Sequence, residues 1–328
     1  MTPSLFCFLG INRKLMAQNL QLYMNQARSA TLHNFYQAAP PYREVMVHID
    51  GCIGVGKTSL IKYIKGNHIV HTTHNEPLGF WTGGENNLLD EIHRAYGQGT
   101  PRHICALQHL IALPFHHRDM FKFKTNPATF NARTDWVSVS DRHMLAPLLV
   151  FPLHHLMEDK ITFTEFSSLV FSYNVYTHDT VVFLDCSPEE LLRRVRTRDR
   201  PEEANIPISY IESLRGAYNM VYNTWKCVKR IPFSSALFHN TQTPDLSPNI
   251  FRILSDKRPV TCSDDTFRCL IYKIYMVLYH LTLFKIDVEQ FRSPKEIYEH
   301  MFNYLSKCSE VVAYTVNWQF ASRCDLSC

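Results

Sequence analysis

The run Gly51-Cys52-Ile53-Gly54-Val55-Gly56-Lys57-Thr58 constrains this chain more than any other feature. It fits the pattern G-x-x-x-x-G-K-[ST], and it sits where that pattern has a physical meaning. Before it stands Val45-Met46-Val47-His48-Ile49, a short apolar stretch with β-branched residues that reads as a buried strand. After it, residues 58–65 read as a helix that ends near Gly66. Glycines let such a loop turn tightly, so that backbone N–H groups at the helix start face phosphate oxygens. On this reading Gly51, Gly54, Val55, Gly56, Lys57, Thr58 and Ser59 bind a nucleotide. Lys57 bridges its outer phosphates, and Thr58 offers a hydroxyl to Mg²⁺. A glycine-rich turn with an incidental lysine is the bland alternative, and the strand-loop-helix order weighs against it.

The alternation continues along the chain. Residues 69–72 read as a second strand, 102–121 as a helix, 136–140 as a strand, 145–175 as helices, 180–184 as a strand and 189 onward as helices. A last strand near 281–286 and a helix near 294–306 complete the pattern. Strands separated by helices form parallel sheets, so residues 44–328 are expected to make one α/β domain with helices on both faces. Residues 1–43 lack this periodicity and end in Ala38-Ala39-Pro40-Pro41, which reads as an extension plus linker.

Composition excludes several classes of function. A net charge of +4, with basic residues scattered except at 193–200, gives no electrostatic footprint for nucleic acid. Ten cysteines without a paired C-x-x-C spacing read as reduced thiols. Residues 5–11 are too short an apolar stretch for a signal peptide and lack a preceding basic region. The stretch 269–286 is interrupted by Lys273, His280 and Lys285, so a buried helix followed by a core strand is expected there rather than a membrane span. His68, His71, His74, His116 and His117 have no carboxylate or cysteine to complete a ligand set, and no metal site is expected of them. Neither D-x-x-G nor N-K-x-D follows the loop, which sets a small GTPase aside.

Three further motifs carry chemistry. His74-Asn75-Glu76-Pro77 places a carboxylate at the carboxyl edge of the second strand, with Phe80 and Trp81 close behind. Asp141-Arg142-His143 follows the strand at 136–140, where a local ion pair of Asp141 and Arg142 is the lesser alternative when they are taken alone. The run from Arg193 through Arg194, Arg196, Arg198 and Arg200 to Glu202 and Glu203 puts Arg194 and Arg198 on one helical face, with Arg200 leaving the helix before Pro201. Alone, that run would read as a solvated charged helix.

In this order and approximate spacing, the motifs at 45–205 resemble those of the herpesviral thymidine kinases, which are P-loop deoxynucleoside kinases. The resemblance is weaker toward the C-terminus. It implies a P-loop kinase fold with a five-stranded, mostly parallel sheet and an arginine-rich lid at about 190–205. It also implies ATP and Mg²⁺ as cofactors, a pyrimidine deoxynucleoside as substrate, a homodimer, and an intracellular setting in the cytoplasm or nucleus of an infected host cell.

By the same resemblance Glu76 is the general base for the 5′-hydroxyl, Asp141 and Thr58 hold Mg²⁺, and Arg142 contacts the reacting oxygen. Arg194, Arg198 and Arg200 close over the transferring phosphoryl group. Gln108 reads the base edge, Ile111 and Phe151 sandwich the ring, and Trp81 and Phe115 line the rest of the pocket. Glu203 binds the sugar 3′-hydroxyl, while its usual tyrosine companion aligns with Leu89, leaving Tyr96 as one substitute. Two other readings remain beside this one: a P-loop ATPase acting on nucleic acid, and a nucleotide-binding relic that serves as an interaction protein.

Overall fold

The apolar strand ahead of the glycine loop, β1 (Val45–Gly51), lies at the centre of the sheet. It is flanked by β3 (Val137–Asp141) and β4 (Thr180–Asp185), with β2 (His71–His74) and β5 (Thr282–Asp287) at the edges. The order is β2-β3-β1-β4-β5 and every pairing is parallel, one step beyond the mostly parallel sheet expected from the sequence. All six residues of β4 are buried, as a strand covered on both faces requires. Strand order reverses beside β1, so the carboxyl ends of β1 and β3 open onto the crevice where such folds bind ligands. The computed structural model describes residues 45–67, 71–83, 87–98, 101–121, 137–173, 179–203, 205–230 and 249–305. The expected extension at 1–43 lies outside them.

Helix α1 (Lys57–Asn67) starts directly on the glycine loop and buries Leu60, Ile61 and Ile64 against β1, β2 and β3. Two short helices follow β2: α2 (Leu78–Thr82) and α3 (Leu88–Gln98). Sequence reading left α3 out, although Leu88, Ile92 and Ala95 fall on one face and are buried. α3 packs against the long α4 (Pro101–Phe121), which carries Pro114 within it.

The segment expected as helices over 145–175 is broken up. A π-helical turn, Ala146–Val150, runs into α5 (Phe151–Met157), and α6 (Phe163–Phe171) starts anew from a capping box formed by Thr162 and Glu165. α7 (Pro188–Arg198) ends at Asp199, whose φ of 51° stops the helix. A 3₁₀ turn, Pro201–Glu203, follows. The longer α8 (Ile208–Val228) packs against α5, α7, α9 (Ile250–Lys257) and α10 (Asp264–His280). α11 (Pro294–Leu305) returns to α1, where the rings of Tyr63 and Tyr298 lie 5.9 Å apart.

The expected buried helix at 269–286 is α10, and it is buried on one face only. Leu270, Ile271, Ile274 and Leu278 face the core, while Tyr272 and Tyr279 are about half exposed. No helix among the described residues is long and apolar enough to cross a membrane. All six described cysteines are free.

The interior of α5 holds a titratable pair. His154 Nδ1 lies 3.1 Å from Ser213 Oγ, and that hydroxyl donates to Glu158 at 2.6 Å, so the ring proton sits on Nδ1. Nε2 of His154 and both ring nitrogens of His155 are buried with no hydrogen-bond partner among the described residues. Burial drives His154 down to about 3 and His155 well below the ordinary histidine range. Both pKa values are lower folded than unfolded, so the unfolded chain binds more protons below about pH 6.5 and stability falls as pH drops from there. Chemical denaturation between pH 7 and 5 should show a loss approaching about 1.4 kcal/mol per pH unit for each ring. His154→Gln should make that slope shallower.

Candidate active site

Three glycines around the loop between β1 and α1, Gly51, Gly54 and Gly56, have positive φ, and at two of them a Cβ would also clash. Gly51 has φ of 139°, and a Cβ there would meet the Leu184 carbonyl oxygen at 2.3 Å. Gly54 has φ of 82°, and its Cβ would meet the Leu191 carbonyl oxygen at 2.7 Å. The loop therefore lies flat against β4 and α7. Lys57, at the helix start, bends back and donates from Nζ to the carbonyls of Gly51 and Cys52, each at 2.9 Å. Burial, and then the neighbouring Arg142, lowers Lys57 to about 8 against the pull of Asp141, Glu76 and Asp50. An ammonium held so loosely is ready for polyphosphate, whose charge restores it. Cys52, within the loop, is an inert thiol because burial pushes it up to about 12.

Thr58 and Asp141 come together at the end of β3, with the threonine hydroxyl donating to Asp141 Oδ2 at 3.2 Å. Burial, and then the charge of Glu76, raises the Asp141 carboxyl to about 6. A hydroxyl and a carboxylate at that spacing suit Mg²⁺, whose octahedral ligand oxygens stand about 2.9 Å apart. Asp141 is buried beside Thr58 and does not itself line the cavity.

Strand register explains the next contact. His74 stands opposite Ser140 in the β2–β3 pair, so two residues further on Glu76 falls opposite Arg142. The Arg142 Nε–H donates to Glu76 Oε1, with both side chains about one-tenth exposed. Burial acts to raise Glu76, but Arg142 and then Lys57 outweigh it and hold the carboxyl below its ordinary range. Arg142 has φ of 64°, unusual for a residue with a side chain. Its backbone is held there by an N–H bond to Ile49 O at 2.9 Å and a bond from Ser140 Oγ to its own carbonyl at 3.0 Å.

Sequence reading missed the groups beneath this arginine. Asp50 accepts from Gly51 N at 2.8 Å, from His143 N at 3.1 Å and from Tyr218 Oη at 2.9 Å. It also lies 3.5 Å from Arg142 Nη1, which donates to Tyr218 Oη at 3.2 Å. A second buried network backs it. Leu145 N–H donates to His143 Nδ1, which places the other proton on Nε2, 3.2 Å from Asp179. His48 reaches the same Asp179 oxygen, with Nε2 at 3.6 Å, its ring centroid 4.5 Å from that of His143, and Nδ1 2.9 Å from Ser140 Oγ. This His48–His143–Asp179 group is the histidine cluster that the structure brings together. Of the histidines discounted as ligands earlier, His68 and the side chains of His71, His116 and His117 lie outside the described residues.

In front of the loop opens a cavity of about 730 Å³, the size that small-molecule sites take. Lys57, Thr58, Ser59 and Glu76 reach it from one end. Arg194, Arg198 and Arg200 reach it from α7 and the turn beyond. Arg194 donates to the Val55 carbonyl at 3.2 Å and to Glu190 at 2.6 Å. Arg198 and Arg200 both pair with the buried Glu203, Arg200 at 3.6 Å. The other end is lined by Trp81, Gln108, Ile111, Phe115 and Phe151. Trp81 Nε1 donates to Ile111 O at 3.1 Å and its ring lies 5.9 Å from Phe115, while Arg142 caps the Phe151 ring at 5.4 Å. Leu89 and Tyr96 both reach the wall, and Tyr96 packs on His154, His155 and Tyr210.

One cavity thus joins a triphosphate-binding loop, a row of arginines and an apolar slot with a carboxylate between them. That combination defines a P-loop kinase for a small acceptor. The deoxynucleoside kinase family model matches residues 47–249, and the chain belongs to that family. Over 261 residues it is 34% identical to the thymidine kinase of Elephantid herpesvirus 1, a match that covers 76% of this chain and 72% of the relative. It is 30% identical over 224 residues to the thymidine kinase of Human herpesvirus 8 type P, covering 64% of this chain and 39% of that longer protein. The fold is shared with a crystal structure of EHV4-TK complexed with Thy and ADP, at a TM-score of 0.63 and 20% identity over 77% of this chain and 87% of that one. Membership makes the chain a nucleoside-phosphorylating transferase rather than a nucleic-acid motor.

Tyr218→Phe deletes one hydroxyl that serves both Asp50 and Arg142. It should lower the unfolding free energy by about 1–2 kcal/mol. It should also reduce kcat by roughly tenfold, through loss of about 1.4 kcal/mol of positioning for Arg142. Denaturation curves and steady-state rates on the same preparation check both.

Proposed function

We propose that this protein transfers the γ-phosphoryl group of ATP to the 5′-hydroxyl of thymidine and related pyrimidine deoxynucleosides, for nucleotide salvage in an infected cell. The observation that carries the reading is the placement of Glu76 beside Arg142, in one cavity with Lys57 and the lid arginines. The thymidine kinases among its relatives support the choice of nucleoside.

The loop amides and Lys57 hold the β- and γ-phosphates. Thr58 and Asp141 would hold Mg²⁺, which would neutralise phosphate charge there. Arg194, Arg198 and Arg200 leave Glu190 and Glu203 for the transferring group, where charge develops in the transition state. Glu76 accepts the proton of the 5′-hydroxyl, and Arg142 keeps that carboxylate ionised and aimed. A carboxylate of low pKa is a weak base, which suits a loose transition state in which the proton leaves late. Ile111 and Phe151 hold the flat base, Gln108 reads its edge, and Glu203 takes the sugar 3′-hydroxyl with Tyr96 near.

Glu76→Gln keeps the size and polarity of the side chain and removes its basicity. It should lower kcat by about 10²–10⁴-fold with little change in KM for thymidine. Radiolabelled ATP and purified protein give the measurement, and full turnover by the variant would remove the general-base role.

A further inference from the structure

Gln108 makes a hydrogen bond whose direction is fixed by chemistry. Its side-chain Nε2 lies 2.7 Å from the backbone carbonyl oxygen of Pro147. A carbonyl has no proton to give, so only the NH₂ end of the amide can face it. The opposite orientation would set two acceptors against each other in a buried site, since Gln108 is 1% exposed.

The Pro147 carbonyl is available because of the local winding of the chain. In an α-helix it would accept from the N–H of Phe151. Here that N–H goes to Ala146 O, one residue further back, as the π-helical turn requires. The π-register partner of Pro147 O is residue 152, which is proline and has no N–H. One donor is diverted and the next is missing, so the carbonyl turns to Gln108.

An amide pinned in this way offers one pattern to the cavity: Oε1 accepts, and the second N–H of Nε2 donates. Thymine and uracil match it with a donor at N3 beside an acceptor at O4. Cytosine has the reverse, an acceptor at N3 beside a donor at N4. To pair with cytosine the amide must turn over, which drives Oε1 against the Pro147 oxygen.

We propose that Pro152 is a specificity-determining position: the Pro147 carbonyl it leaves open locks the Gln108 amide in the orientation that accepts 4-oxo pyrimidines and rejects cytosine. This rests on the reading of Gln108 as the residue that meets the base. Pro152 acts through the Pro147 carbonyl and Gln108, and is a positioning residue.

2′-Deoxyuridine and 2′-deoxycytidine isolate the effect, because they share a sugar and differ only on the edge at positions 3 and 4. In kcat/KM the wild-type protein should favour deoxyuridine by about tenfold or more, the scale of one buried polar mismatch. Pro152→Ala restores an N–H that can close the Pro147 carbonyl, so the ratio should narrow by about fivefold or more through a gain on deoxycytidine. Gln108→Ala should lower turnover of deoxyuridine and thymidine. A wild-type ratio near one overturns the lock without any variant. An unchanged ratio in Pro152→Ala, with Gln108→Ala impaired, overturns the lock and leaves the base contact standing. Undiminished turnover of thymidine and deoxyuridine by Gln108→Ala overturns the base contact itself, and the lock with it.

Discussion

Arg142 is the hinge of this structure, because a buried guanidinium must be surrounded by partners or not be there. Its Nε meets Glu76, its Nη1 meets Tyr218 and Gly51 O, and Asp50 lies 3.5 Å away. Removing one partner of a buried pair leaves an uncompensated charge, which costs about 3–5 kcal/mol. The fold therefore has to hold β1, β2, β3 and α8 in one arrangement for the arginine to be tolerated. The φ of 64° at Arg142 belongs to the same bargain: strain in the backbone aims the side chain, and the surrounding hydrogen bonds hold it. Such a cluster is a poor device for stability alone, since apolar packing of the same volume does as well. Its sense is chemical.

The cations around the cavity share one logic. Lys57 donates to loop carbonyls, Arg194 to Glu190 and Val55 O, and Arg198 and Arg200 pair with Glu203. Every one of these partners can be exchanged for phosphate oxygens, which carry more charge and offer better geometry to a guanidinium fork. On the proposed reading, the protein keeps these side chains ordered and the nucleotide releases them. Arg142 differs, because its partners are deeper and its place is set at the end of a strand rather than at the end of a helix.

Much of this was legible because phosphate chemistry is written locally. The loop, Glu76 after β2, the Asp141-Arg142 pair after β3 and the arginines of α7 each lie in a short stretch with a fixed offset from a strand or helix. Other parts depend on residues that are far apart in the chain. Tyr218 reaches Asp50 across 168 positions, and nothing in either neighbourhood announces the bond. The π-helical turn at Ala146–Val150 hides within an ordinary apolar run, and only Pro152, just beyond it in α5, hints that one carbonyl goes without an N–H. α3 did carry a signal, in the buried face of Leu88, Ile92 and Ala95, but polar residues between them blurred it.

The most direct test is a crystal structure of the protein with thymidine and a non-hydrolysable ATP analogue. The account predicts a Glu76 carboxylate oxygen within about 3.2 Å of the 5′-oxygen, with that oxygen facing the γ-phosphate above Lys57. A 5′-oxygen more than about 6 Å from Glu76, with another group in hydrogen-bond reach of it, would contradict it.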